Sequence, residues 1–172
     1  MQPTTRLSGE SIVFVRVAPG YVTQAIRDLR SEPNVTSVEA TLGPFDVLVT
    51  GSWPDLATVT EFRERVENKP YCQGCDVAPS VQSWNRDASP SPARPLNGWT
   101  LIRTADPAKT TQNLRNVPNV SRVHTTIGEY NVIAHFDVHD PTDILTTVTD
   151  RIHGFKEVRR TETFVSFRHE SH

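Results

Sequence analysis

Three observations predict an α+β fold made of two similar halves, each ordered β-α-β-β-α-β. The first is an internal repeat. Residues 29–48 (LRSEPNVTSVEATLGPFDVL) and 114–133 (LRNVPNVSRVHTTIGEYNVI) align without gaps at an offset of 85, with nine of twenty positions identical. Two copies are too few for a stacked array, so the repeat signals a duplicated domain. The second is the alternation, within each half, of short β-branched runs with amphipathic stretches. The third is the segment Asn85–Asn97 between the copies, NRDASPSPARPLN, which holds three prolines and reads as an extended linker.

The elements follow in order. Ser11–Val17 (SIVFVRV) reads as a strand, punctuated by Pro19-Gly20. Tyr21, Val22, Ala25, Ile26 and Leu29 recur at helical spacing, and Pro33 ends that helix. Val35–Thr41 and Phe45–Thr50 form a hairpin around Gly43-Pro44. A second helix carries Leu56, Val59, Phe62 and Val66 on one face, with Ser52 and Asp55 spaced like a capping box. Val77–Trp84 is the last strand of the first copy.

The second copy repeats this order. Trp99–Thr104 is a strand, and Asp106-Pro107 opens a helix with a capping residue and a first-turn proline. Lys109–Asn113 (KTTQN) looks too polar for a deeply packed helix. Val120–Thr126 and Tyr130–Asp137 form the second hairpin. Asp140-Pro141 opens a helix faced by Ile144, Leu145, Val148 and Ile152 and stopped by Gly154, and Val158–Phe167 closes the unit. The order is the ferredoxin-like one. The expected domains are a flexible start (1–10), a first unit (11–84), a linker (85–97), a second unit (98–168) and a tail (169–172).

Residues Gly43-Pro44-Phe45-Asp46-Val47 and Gly128-Glu129-Tyr130-Asn131-Val132 resemble the Gly-x-aromatic-Asp/Asn hairpin of the Lrp/AsnC ligand-binding (RAM) domain. The preceding Pro-Asn-Val and the closing strand with Thr161-Glu162-Thr163 are similar too. The resemblance covers nearly the whole chain as two copies. It implies units that pair sheet to sheet as a dimeric α/β barrel, bind a small effector, commonly an amino acid, and associate into homo-oligomers. It implies effector contacts at Gly43, Phe45 and Asp46, at Gly128, Glu129, Tyr130 and Asn131, and at Thr161 and Thr163.

Only about ten residues precede the first strand, where regulators of this kind carry a helix-turn-helix. A net charge of −2 with mixed signs also lacks the basic footprint of a nucleic-acid grip. The expectation is a cytoplasmic effector-binding and oligomerisation protein without direct DNA binding, serving a partner such as an Lrp-type regulator. No apolar run approaches the ~20 residues of a membrane span.

No nucleophile, base and orienting group converge in the sequence, so no catalytic residue, cofactor or metal is expected. Two rivals remain. One is a dimeric α+β-barrel enzyme, monooxygenase-like or haem-handling, using His124 or His135. The other is a purely structural assembly unit. Cys72-Gln-Gly-Cys75 supplies half a zinc site at most and reads as two ordinary loop thiols.

Overall fold

The computed structural model describes residues 6–7, 10–86, 96–138 and 140–167. The first unit runs β1 (Ser11–Val17), α1 (Val22–Arg30), β2 (Val35–Leu42), β3 (Val47–Gly51), α2 (Leu56–Glu67), β4 (Cys72–Ala78) and β5 (Ser80–Asn85). The second runs β6 (Leu96–Thr104), α3 (Pro107–Arg115), β7 (Val120–Thr126), β8 (Val132–Val138), α4 (Pro141–Asp150), a 3₁₀ turn (Ile152–Gly154) and β9 (Val158–Phe167). The expected final strand of the first unit is thus two strands, broken at Pro79. The expected C-terminal tail, most of the N-terminal segment and most of the linker lie outside the described residues, while Leu7 N donates to Pro54 O at 3.1 Å and Glu10 pairs with Arg122.

All nine described strands belong to one antiparallel sheet, ordered β4-β1-β3-β2-β9-β6-β8-β7-β5. Each unit keeps the ferredoxin-like order, β4-β1-β3-β2 and β9-β6-β8-β7. The units exchange their ends: β9 pairs with β2, and β5 pairs with β7. Pro79 contributes to the second join, because its carbonyl accepts from Ile127 N at 3.0 Å.

Each unit has a core between its sheet and its helices. In the first, Val13, Val15 and Val49 meet Ile26, Leu29, Val59 and Phe62, and Trp53 packs on Phe62 with ring centroids 4.8 Å apart. In the second, Ile102, Val132, Ala134 and Phe136 meet Leu114, Ile144 and Val148. Each fully buried large apolar side chain contributes roughly 1.5–3 kcal/mol. A third cluster takes Ile12, Phe14 and Leu48 from one unit and Trp99, Leu101, Ile133 and Phe164 from the other, with Phe45 and Tyr130 against it.

The helix caps follow the sequence with one change. Asp106 accepts from Lys109 N, and Asp140 accepts from Thr142 N. The cap of α2 is Asp55, which accepts from Thr58 N at 2.8 Å, rather than Ser52. The polar α3 is explained by Glu157, buried at the start of β9. It accepts from Asn113 Nδ2 at 3.0 Å and from Thr110 Oγ1 at 3.3 Å. In the first unit the polarity is reversed: Tyr71 O–H donates to Asp28 Oδ2 at 2.6 Å.

Cys72 and Cys75 lie in β4, not in a loop. Cross-strand pairing with Val17 and Val15 holds them extended. Burial raises both thiols, Cys75 to about 12, so neither is a ready nucleophile. Replacing Cys75 by serine is expected to change the melting temperature by only a few degrees. Native protein is expected to react slowly with a thiol reagent at pH 8 and quickly once unfolded. Rapid labelling of two thiols in the native state would refute this.

Candidate functional site

The third cluster opens into a cleft of about 410 Å³. Its floor is apolar: Phe14, Phe45, Leu101 and Ile133. Its rim is charged: Arg63, Asp76, Glu129, Arg160 and Glu162. Strand register explains the arrangement. Phe14 stands opposite Asp76 in the first unit, and Leu101 stands opposite Glu162 in the second. These are equivalent positions, so the cleft straddles the pseudo-two-fold relation between the copies.

The hairpin aromatics line it too. Phe45 stacks on Phe14 with centroids 4.7 Å apart, and the Arg16 guanidinium lies over its ring at 5.7 Å. Tyr130 holds the matching place in the second unit, with Arg160 over its ring at 6.0 Å. Tyr130 donates its hydroxyl to Glu162 Oε2 at 3.0 Å, and Arg160 pairs with Glu129 at 3.4 Å. Burial, and then the bond to Glu162, hold the Tyr130 hydroxyl above its ordinary pKa. It is a donor at neutral pH.

Of the residues suggested by the sequence, Phe45, Gly128, Glu129 and Tyr130 line this cleft. Gly43, Asp46, Asn131, Thr161 and Thr163 do not. Asp46 Oδ2 accepts from Val17 N at 2.8 Å, and Asn131 both accepts from Thr104 N and donates to Thr104 O. Both side chains clamp the end of a neighbouring strand. Gly43 packs against Phe164, Thr161 Oγ1 meets His153 Nε2 at 2.9 Å, and Thr163 meets Thr100 at 3.0 Å. Arg63, Asp76 and Arg160 are not among the residues the sequence suggests. The signal for Asp76 lies in the register of β4 with β1, which matches that of Glu162 in β9 with β6.

The two histidines of the enzyme rival occupy different settings. His124 is buried against Ser80, and burial, then Arg122, push it down to about 4, so it is neutral. His135 lines a separate polar cavity of about 180 Å³ with Ser37, Glu39, Thr50, Asn97, Trp99 and Arg122. The two are not direct cross-strand partners: His135 stands opposite Arg122, and His124 opposite Ile133. Among the described residues, no group of three His, Cys, Asp or Glu side chains is placed to hold a metal ion. No helix there is long and apolar enough to cross a membrane.

Residues 101–171 match the family described as Lrp/AsnC ligand binding domain. The first unit, outside the matched residues, resembles the second in its internal repeat and strand order. No curated protein matches the chain.

Solved structures share the fold of the whole chain at low identity. The siroheme decarboxylase NirDL is 8% identical with a TM-score of 0.72, over 97% of this chain and 77% of that one. An anthrone oxidase-like protein is 9% identical with a TM-score of 0.59, over 94% and 90%. A chlorite dismutase variant from Candidatus Nitrospira defluvii is 10% identical with a TM-score of 0.59, over 98% and 93%. These findings overturn the expectation of a non-enzymatic chain. The fold is one on which enzymes are built, so the lack of a catalytic motif in the sequence does not argue against catalysis.

Proposed function

We propose that the chain is a ligand-binding barrel that takes a small zwitterion, an amino acid with an apolar side chain, in the cleft between its two units. The sheet order supports the barrel. Its two end strands, β4 and β5, are consecutive in the chain, and β9 and β5 each cross to the other unit. In this reading the units face each other over the third cluster as a pseudo-dimer.

One observation carries the ligand: acidic and basic rim groups stand together over an aromatic floor. Glu162 and Asp76 suit an ammonium group, Arg160 and Arg63 suit a carboxylate, and Phe14, Phe45 and Leu101 suit the side chain. A volume of about 410 Å³ lies within the usual range for small-molecule sites. Leu42 and Ile127, exposed beside the two hairpins, suit association with further copies or with an Lrp-type regulator. The enzymes among the structural neighbours favour a second reading, in which the bound molecule is also transformed.

Calorimetry against the twenty amino acids tests the proposal. At least one apolar member is expected to bind one per chain. Arg160→Ala is expected to weaken it about tenfold to a hundredfold, the scale of a lost charge-assisted hydrogen bond. The exposed Arg160–Glu129 pair contributes little to folding, so the melting temperature should hold. Absence of binding, or binding indifferent to Arg160→Ala, would sink the assignment. Following the bound ligand by NMR over hours separates the two readings.

A further inference from the structure

We infer that the cavity around Glu39 is a second ligand site, and that it takes a small organic ammonium ion. Two hydrogen-bond chains converge on the Glu39 carboxylate. From one side, Trp99 Nε1–H donates to Ser166 Oγ at 2.8 Å, and Ser166 donates to Glu39 Oε2 at 2.7 Å. From the other, Asn97 Nδ2 donates to Glu39 Oε1 at 2.8 Å. The Asn97 atom facing Glu39 is the amide nitrogen, which donates. Asn97 Oδ1 then faces His135 Nε2 at 3.1 Å, which makes that nitrogen the N–H donor. Ser121 Oγ lies 2.6 Å from His135 Nδ1 and 3.1 Å from the His135 carbonyl oxygen, to which it can also donate. The Trp99, Ser166 and Asn97 bonds all run towards Glu39.

The donors reaching Glu39 are both neutral. Among the described residues no cationic side chain pairs with it, and Arg122, the cation in the same cavity, is held by Glu10 at 2.8 Å. A half-buried carboxylate in this position is an ion pair lacking one partner. The open space beside it is walled by the Ser37 and Thr50 hydroxyls, which can share the remaining donors of an ammonium group. An anion in the same space would face Glu39.

Size narrows the class further. A cavity of about 180 Å³ is smaller than the usual small-molecule site, which suits a short primary amine. The site differs from the cleft in every lining residue, so its test is independent of the amino-acid proposal.

The test uses the full chain at pH 7 with ethylammonium chloride, ethanolammonium chloride and sodium acetate. The two amines are expected to bind saturably, one per chain, in calorimetry. Binding is expected to shift the NMR signal of the Trp99 indole N–H, which reports on Glu39 through Ser166. Glu39→Gln is expected to weaken binding at least tenfold, whereas Glu61→Gln, on the exposed side of α2, leaves it unchanged. If Glu39→Gln fails to fold, Thr50→Val keeps the carboxylate and is expected to weaken binding several-fold. Acetate binding in preference to the amines, no saturable amine binding at millimolar concentrations, or affinity indifferent to the Glu39 or Thr50 change would each overturn the proposal.

Discussion

Replacing Phe164 by alanine is expected to lower the unfolding free energy by about 3–5 kcal/mol, the usual cost of truncating a buried phenylalanine. Phe164 is 3% exposed and belongs to β9, in the second unit. Its ring packs edge-on against Phe14 at 5.8 Å and Phe45 at 6.5 Å, both of the first unit, and stacks with Trp99 at 6.4 Å. The cavity left behind would touch both halves and cannot collapse by moving one helix. Chemical denaturation should give one transition that moves as a whole. Two separated transitions, with only one displaced, would show that the third cluster does not couple the units.

The shared cluster was only partly legible in the sequence. The repeat marked two units, and the β-α-β-β-α-β order could be read from periodicity because Ile26, Leu29, Val59 and Phe62 recur at helical spacing. Asp106 and Asp140 announced their helices because capping is a local interaction. The split at Pro79 was not visible: it depends on β5 leaving its own unit to pair with β7. Cys72 and Cys75 looked like loop residues, and their strand geometry comes from pairing with β1. Tertiary context overrides such weak local preferences. The polar run in α3 had its explanation in Glu157, more than forty residues away.

The candidate site shows the same division. The hairpin aromatics Phe45 and Tyr130 stood out through the repeat, and both line the cleft. Asp46 and Asn131 stood out equally, but their polar atoms are engaged with Val17 and Thr104 backbone groups. A local motif displays residue types and not the direction of their side chains. Asp76 and Glu162 are matched by strand register, yet the sequence around them has diverged and the repeat offset has slipped, so no motif linked them. The Glu39 network draws on β2, β6, β7, β8 and β9 at once, and a one-dimensional pattern does not carry it.

The two hairpin glycines should respond differently to the same change. Gly43 and Gly128 have φ of +154° and +143°, backbone that L side chains rarely adopt. Strain of this kind costs roughly 1–3 kcal/mol. At Gly128 an added Cβ meets nothing closer than Tyr130 O at 3.9 Å, so Gly128→Ala should cost that strain alone. At Gly43 the added Cβ falls 2.7 Å from Phe164 Cβ. That atom is fixed to the β9 backbone and cannot swing away, so the strand or the hairpin must shift. Overpacking adds about 1–3 kcal/mol. Gly43→Ala is therefore expected to lose about 2–6 kcal/mol, with the larger loss in the copy whose hairpin lies against the other unit's closing strand. Equal losses for the two alanine variants in denaturant unfolding would show that the hairpin of the first unit is not packed against Phe164 as described.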